Sequence, residues 1–157
     1  MVVYLFNFNT CQDLALLEIG DQQCSPLYAF GPNIRNEYIF HYVVSGKGVV
    51  MLQPSGEKGQ NILSETIEVK AGEGFLIEPH TAHMYRADEN DPWHYIWFVF
   101  TGLSVPSYLR ACGLTRNNPV FYPQSYAHAV SSRVREPLRQ ILGHPDASKA
   151  FIIGQLH

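Results

Sequence analysis

The hydrophobic positions change period once along the chain. Up to about residue 102 they come in short runs broken by Gly, Pro and Asn; from about residue 104 they recur every three to four residues. The first pattern predicts strands joined by turns, the second amphipathic helices. The strand runs are LALLEIG (14–20), YIFHYVVSGKGVVMLQ (38–53), ETIEVKAGEGFLIEP (65–79) and HYIWFVFTG (94–102). The second run predicts a β-hairpin, with Ser45-Gly46-Lys47-Gly48 supplying the positive-φ positions of a tight turn. The third predicts strand, glycine-rich turn, strand. Between them, PSGEKGQNILSE is polar and turn-rich, as an exposed loop should be. Many short strands at this spacing predict a sandwich or barrel rather than a parallel sheet.

The last strand is apolar on both faces. Trp93, Tyr95, Trp97 and Val99 share one; Ile96, Phe98 and Phe100 share the other. Such a strand needs cover on both sides. One face can look into a barrel, and the helices that follow are the natural cover for the other.

Three helices are predicted. SVPSYLRACG (104–113) offers Ser104 as a cap, Pro106 in the first turn and Gly113 as a stop. SYAHAVSSRVREPLRQILG (125–143) carries a stripe of Tyr126, Val130, Val134, Leu138 and Leu142, and Pro137 should kink it. ASKAFIIGQLH (147–157), capped by Asp146, has no stop signal, which is the expectation for a chain that continues further. The predicted division is therefore residues 1–103 as a β-domain and 104–157 as a helical segment. The first nine residues, MVVYLFNFN, are too apolar for a free tail and should form an added strand or an arm over a pocket.

Composition narrows the function classes. A 157-residue chain with 46% apolar and 13% aromatic residues can build one sizeable core. A net charge of −3 lacks the basic footprint of a nucleic-acid-binding domain. Arg133, Arg135 and Arg139, interrupted by Glu136, read as a solvated helix face. The three cysteines, Cys11, Cys24 and Cys112, are odd in number and form no CxxC, which fits a reducing cytoplasm better than a disulfide framework. The N-terminus lacks the basic start and long apolar run of a signal peptide, and no stretch reaches the ~20 apolar residues of a membrane span.

Chemistry concentrates at IEPHTAHMY (77–85), where His80 and His83 stand three apart. On a strand they would face opposite sides, so both can ligate one metal only across a turn, which Pro79 and Thr81 make possible. VVSGKGVV (43–50) and VKAGEGFLIEPHTAH (69–83) resemble the two motif cores of the cupin superfamily. In that family the histidine matching His83 is a metal ligand, and its partners come from an HxH and a Glu before the first glycine turn. Here Pro32, Ile34 and Ile39 occupy those positions, so the metal triad is missing; His41 is the only other imidazole in sight. No metal and no other cofactor is expected.

A closer resemblance is carried by FGPNIRNEYIFHYVVSGKGVV, AGEGFLIEPHTAHMYRADENDPWHYIWFVFTG and YLRACGLTRNNPVF. Together they are similar to the N-terminal effector domain of AraC-type transcription regulators, in the branch governing oligosaccharide and α-galactoside use. The resemblance implies a mostly β fold, a cupin-like jelly-roll barrel that binds a sugar, followed by C-terminal helices that form a homodimer. It further implies a helix-turn-helix DNA-binding domain beyond this chain, so that DNA is a partner only through that part.

The family pattern also assigns the pocket. It turns His83 and Tyr85 inward, and with them His41, Val43 and Arg35. It places Tyr95 and Trp97 in the pocket and Trp93 at its mouth. The arabinose-binding member stacks its sugar on the tryptophan matching Trp97 and uses a tyrosine matching Tyr85. Its histidine is replaced here by Tyr95, and its arginine falls on Gly31, so Arg35 is the candidate to supply the cation. His80 is expected in the turn and His94 toward the helices. Such a set suits a carbohydrate, whose C–H face meets an indole and whose hydroxyl rim meets fixed Arg, His and Tyr groups. Three readings compete: a sugar sensor without enzymatic activity, a metal-dependent cupin enzyme acting on a sugar or small metabolite, and a closed structural dimerisation domain. Glu73 in its turn and Glu78 pointing outward give no carboxylate pair for catalysis.

Overall fold

The structure, a computed structural model, describes residues 1–6, 13–53, 65–123 and 127–144, with the side chains of residues 65 and 127–134 outside the description. Ten strands and two helices are present among these residues. They are β1 (Val2–Leu5), β2 (Ala15–Gln23), β3 (Ala29–Asn33), β4 (Tyr38–Ser45), β5 (Lys47–Leu52), β6 (Glu65–Lys70), β7 (Gly74–Ile77), β8 (His83–Ala87), β9 (His94–Thr101), α1 (Val105–Ala111), β10 (Val120–Phe121) and α2 (Ala127–Gly143). Strands β1-β2-β9-β4-β7-β10 form one antiparallel sheet and β3-β8-β5-β6 another. The polar loop predicted over 54–65 (save the backbone of Glu65), the stripe residue Tyr126, the cap at Asp146, the side chains of Val130 and Val134 and the helix predicted over 147–157 lie outside the described residues.

Strand β9 has both faces covered, as its apolar pattern requires. Tyr95 and Val99 join an interior cluster between the two sheets, with Val50, Phe75, Ile77 and Tyr85. Ile96 and Phe100 join a second cluster on the outer face, with Leu16, Ile19, Leu76 and the helical residues Val105, Leu138 and Ile141. Burying one such aliphatic or aromatic side chain stabilises the fold by about 1.5–3 kcal/mol, so the helices are integral to it. Leu138 belongs to the predicted stripe, and at this point the stripe packs on the sheet.

The predicted hairpin over 38–53 is not one. Strand β4 pairs with β7 and β9, whereas β5 pairs with β6 and β8, so the chain crosses between sheets at Gly46. Gly46 has φ 73°, as the turn chemistry demands. Gly48 has another reason to be glycine: a Cβ there would come within 2.7 Å of the Trp93 ring. The second glycine turn makes the same crossing and bonds to the first. The Ala71 N–H donates to the Gly46 carbonyl at 2.9 Å and the Gly72 N–H to that of Val43 at 2.8 Å.

Helix α1 begins after Ser104, whose side chain makes no capping hydrogen bond, contrary to expectation. It ends as predicted at Gly113, with φ 72°. The Leu114 N–H donates to the Leu109 carbonyl and the Gly113 N–H to that of Arg110, the double bond of a Schellman stop. Helix α2 runs through Pro137. The apolar N-terminus forms the edge strand β1, paired antiparallel with β2. Among the described residues, no helix is long and apolar enough to cross a membrane.

Candidate functional site

A cleft with a cavity volume of about 120 Å³ opens between the inner face of the larger sheet and strands β3 and β8. Arg35, His41, Tyr85, Tyr95 and Trp97, all singled out from sequence, line it together. The other two residues of that set do not. His83 is 0% exposed and sits one layer behind, stacked on Tyr85 and Phe30. Trp93, expected at the mouth, is also 0% exposed and belongs to the interior core, packed among Phe75, Tyr85 and Tyr95 over Gly48.

The turn at 78–81 answers what the two histidines do. His80 adopts φ 60° and is exposed, while its N–H donates to the Arg35 carbonyl at 2.7 Å and so ties down the backbone beneath the cleft's arginine. His83 begins β8 on the far side of the turn. Its Nδ1 lies 3.0 Å from the Thr81 carbonyl, which can only accept, so Nδ1 carries the proton. Its Nε2 is buried without a partner. Burial lowers the His83 pKa.

His41 is 2% exposed and stacks on Phe75 at 4.5 Å, with Tyr85 and Tyr95 edge-on. Burial, and secondarily the nearby His83, depress its pKa to about 3, so the ring is neutral at physiological pH. Its Nδ1 is buried and unpartnered. Burial likewise raises the Tyr85 and Tyr95 pKa values, so both hydroxyls stay protonated.

Gly31, where the family arginine would fall, has φ 98°, and a Cβ there would lie 2.6 Å from the His83 carbonyl oxygen. The position excludes a side chain. Arg35 reaches the cleft instead, its side chain 37% exposed and paired with Glu18 at 3.3 Å and Glu37 at 3.7 Å.

Glu18 is the residue that sequence reasoning missed. Its Oε1 accepts the Trp97 indole N–H at 2.7 Å and its Oε2 accepts from Arg35. A β-bulge places it there: between Leu16 and Glu18 the register with β9 shifts by one residue. Leu16 and Ile19 thereby both reach the outer core while Leu17 and Glu18 both face inward. The available signal was a lone carboxylate inside the apolar run LALLEIG. Trp97 is seated by Gly20, its register partner on β2, where any Cβ would collide with the indole. Phe30 and Asn33 of β3 also border the cleft, and no strand was predicted there.

His94 lies on the outer parity, but its Nε2–H donates to the Asp21 carboxylate at 2.9 Å. Glu73 accepts the Lys70 N–H within its turn. Cys24 and Cys112 are free thiols, with burial raising that of Cys24 to about 11. Among the described residues, no three His, Cys, Asp or Glu side chains gather as a metal site would need.

Two facing sheets with helices on one outer face and an aromatic, polar cleft between the sheets define a cupin-like ligand-binding domain. The chain belongs to the AraC-like ligand binding domain family, whose model matches residues 17–153. It is 31% identical over 102 residues to the Msm operon regulatory protein of Streptococcus mutans, covering 65% of this chain and 33% of that one. Against the raffinose operon transcriptional regulatory protein RafR of Pediococcus pentosaceus the identity is 31% over 96 residues, covering 60% and 31%. Against the lactose operon transcription activator of Staphylococcus xylosus it is 27% over 81 residues, covering 52% and 29%. The matched stretch thus spans about a third of the length of these regulators. Among solved structures, the protein YhaK from Escherichia coli shares the fold, with a TM-score of 0.53 at 13% identity over 76% of this chain and 48% of that one.

Proposed function

We propose that this chain is the sugar-sensing domain of a transcription regulator of carbohydrate-use genes, and that it carries no enzymatic activity. The observation that carries the reading is the cleft. Trp97 and Tyr95 offer it aromatic surface, and Arg35, Glu18 and Asn33 offer hydrogen-bonding groups. The buried, unpartnered His41 Nδ1 sits in its lining. Leaving such an atom unmade costs about 1–3 kcal/mol, and a ligand hydroxyl would supply the partner. The relatives, all operon regulators by name, point the same way.

We further propose that the helical segment 104–157 mediates a homodimer and that DNA is contacted by regions of the relatives that this chain does not match. Leu138 and Ile141 of α2 already pack on the sheet, so the dimer contact would use other faces of the segment. Ligand control then requires that the sugar bind one arrangement of the dimer more tightly than another.

Thermal unfolding against raffinose, lactose, galactose and glucose, each with and without chelator, tests the reading. A native-state ligand raises the melting temperature with concentration. The expected result is a rise with one sugar class, indifferent to chelator and lost in Trp97→Ala. No rise with any sugar, together with destabilisation by chelator, would overturn it in favour of the metal-dependent enzyme.

A further inference from the structure

The cleft carries a charge arrangement that restricts its ligand further. Arg35 is the only cationic side chain lining it among the described residues, and it is already engaged on both sides, by Glu18 and by Glu37. Two carboxylates thus flank its guanidinium, Glu18 in the cleft lining and Glu37 outside it. Glu18 is the deeper, its side chain 18% exposed, and it is held at both oxygens: Oε1 by the Trp97 N–H and Oε2 by Arg35.

We propose that Glu18 is the specificity-determining residue of the cleft, selecting an uncharged polyhydroxy ligand and rejecting its phosphorylated or uronic-acid forms. The inference rests on the reading of this cleft as the sugar site. A carboxylate has about four lone-pair positions, and here one on each oxygen is used. The remaining pair can accept two neighbouring hydroxyls of a sugar whose C–H face lies on Trp97. An anionic ligand meets the opposite situation. Arg35 keeps N–H donors to spare, but an anionic group that takes them stands beside the Glu18 and Glu37 carboxylates and meets their negative charge. Where the anionic group stands in place of one of those hydroxyls, the contact to Glu18 is lost as well, because an ionised carboxylate cannot donate. The hydrogen bond to Glu18 fixes the indole as well, so one residue sets both the stacking surface and the acceptor pair. His41, neutral at physiological pH, adds no positive charge to offset this.

Calorimetric titration of the chain with raffinose, lactose and galactose, and with glucose 6-phosphate and galacturonate, tests the proposal. Wild type should bind a neutral sugar and show no heat with either anion. Glu18→Gln, which keeps size and removes the charge, should weaken the neutral sugar at least tenfold and narrow the gap to the anions. Glu18→Asp, which keeps the charge but shortens the reach, should lose affinity while still excluding them. Melting temperatures of both variants establish that they are folded. Binding of an anion as tightly as the neutral sugar overturns the proposal while leaving the sugar site standing, as does a folded Glu18→Gln with unchanged selectivity. Absence of heat with every compound overturns both.

Discussion

The two faces of the six-stranded sheet are built from the same strands and do different work. The outer face buries Leu16, Ile19, Ile96 and Phe100 beneath α1 and α2. The inner face is divided. Around Trp93 and Phe75 it is closed core; around Trp97 it opens into a cleft with a glutamate, an arginine and a neutral histidine. Trp93 and Trp97 lie on the same parity four residues apart, each seated by a glycine, Gly48 on β5 of the facing sheet and Gly20 on the neighbouring β2. The difference teaches that residue type alone does not separate core from site. What separates them is whether polar partners surround the ring: Trp97 donates to Glu18, whereas Trp93 is packed among aromatic rings.

The sharpest way to break the comparison is at Trp93. Trp93→Ala should cost about 3–5 kcal/mol in urea unfolding, whereas Trp97→Ala should cost less and remove ligand binding instead. Equal losses of stability would erase the distinction. On the outer face, Ile141→Ala should cost about 2–4 kcal/mol by the same measurement and leave sugar affinity unchanged in the folded protein. A negligible effect would mean that α2 is not part of the domain's core. Gly20→Ala should cost about 1–3 kcal/mol by overpacking the Trp97 seat, and should weaken sugar binding as the indole shifts. Affinity at the wild-type value would show that Trp97 does not need this seat.

Acid should act on the inner face. The folded pKa of His41 lies near 3, below the ordinary 6.5, so the unfolded chain holds that proton more tightly. The stability that His41 contributes is fully present above pH 6.5 and is lost as pH falls through this window toward 3. Melting temperature should therefore fall between pH 7 and pH 4, and His41→Gln should flatten the dependence. An unaltered slope in that variant would assign the effect elsewhere, His83 being the nearest group shifted in the same direction. The smallest effect is expected at Ser104→Ala, within about 0.5 kcal/mol, because the side chain caps nothing. A loss near 1 kcal/mol, usual for a capping serine, would contradict the helix start described here.

Much of this was legible from pattern. The two-sided apolar run of β9 foretold both an interior and a helical cover, and Gly113 marked the end of α1. The family resemblance, extended by alternation, turned His41, Tyr85, Tyr95 and Trp97 inward, and all four line one cleft. What alternation could not foresee were its interruptions. The bulge at Leu17 carried Glu18 into the site, and the crossing at Gly46 replaced a hairpin with a step between sheets. In both places the deciding contacts are between segments distant in sequence, β2 with β9 and Gly48 with Trp93. His83 and Trp93 had the right parity and the wrong depth, since period 2 gives a face and not a distance from the mouth.

The central claim is that a sugar docks beside Trp97, and the chain's two tryptophans allow it to be read optically. Intrinsic fluorescence should be titrated with a neutral sugar that raises the melting temperature, in Trp93→Phe and in Trp97→Phe. The account predicts a saturable change in emission that persists in Trp93→Phe, where Trp97 alone reports, and vanishes in Trp97→Phe. A change that survives in Trp97→Phe and is absent from Trp93→Phe would place the ligand in the region described here as closed core, and would contradict it.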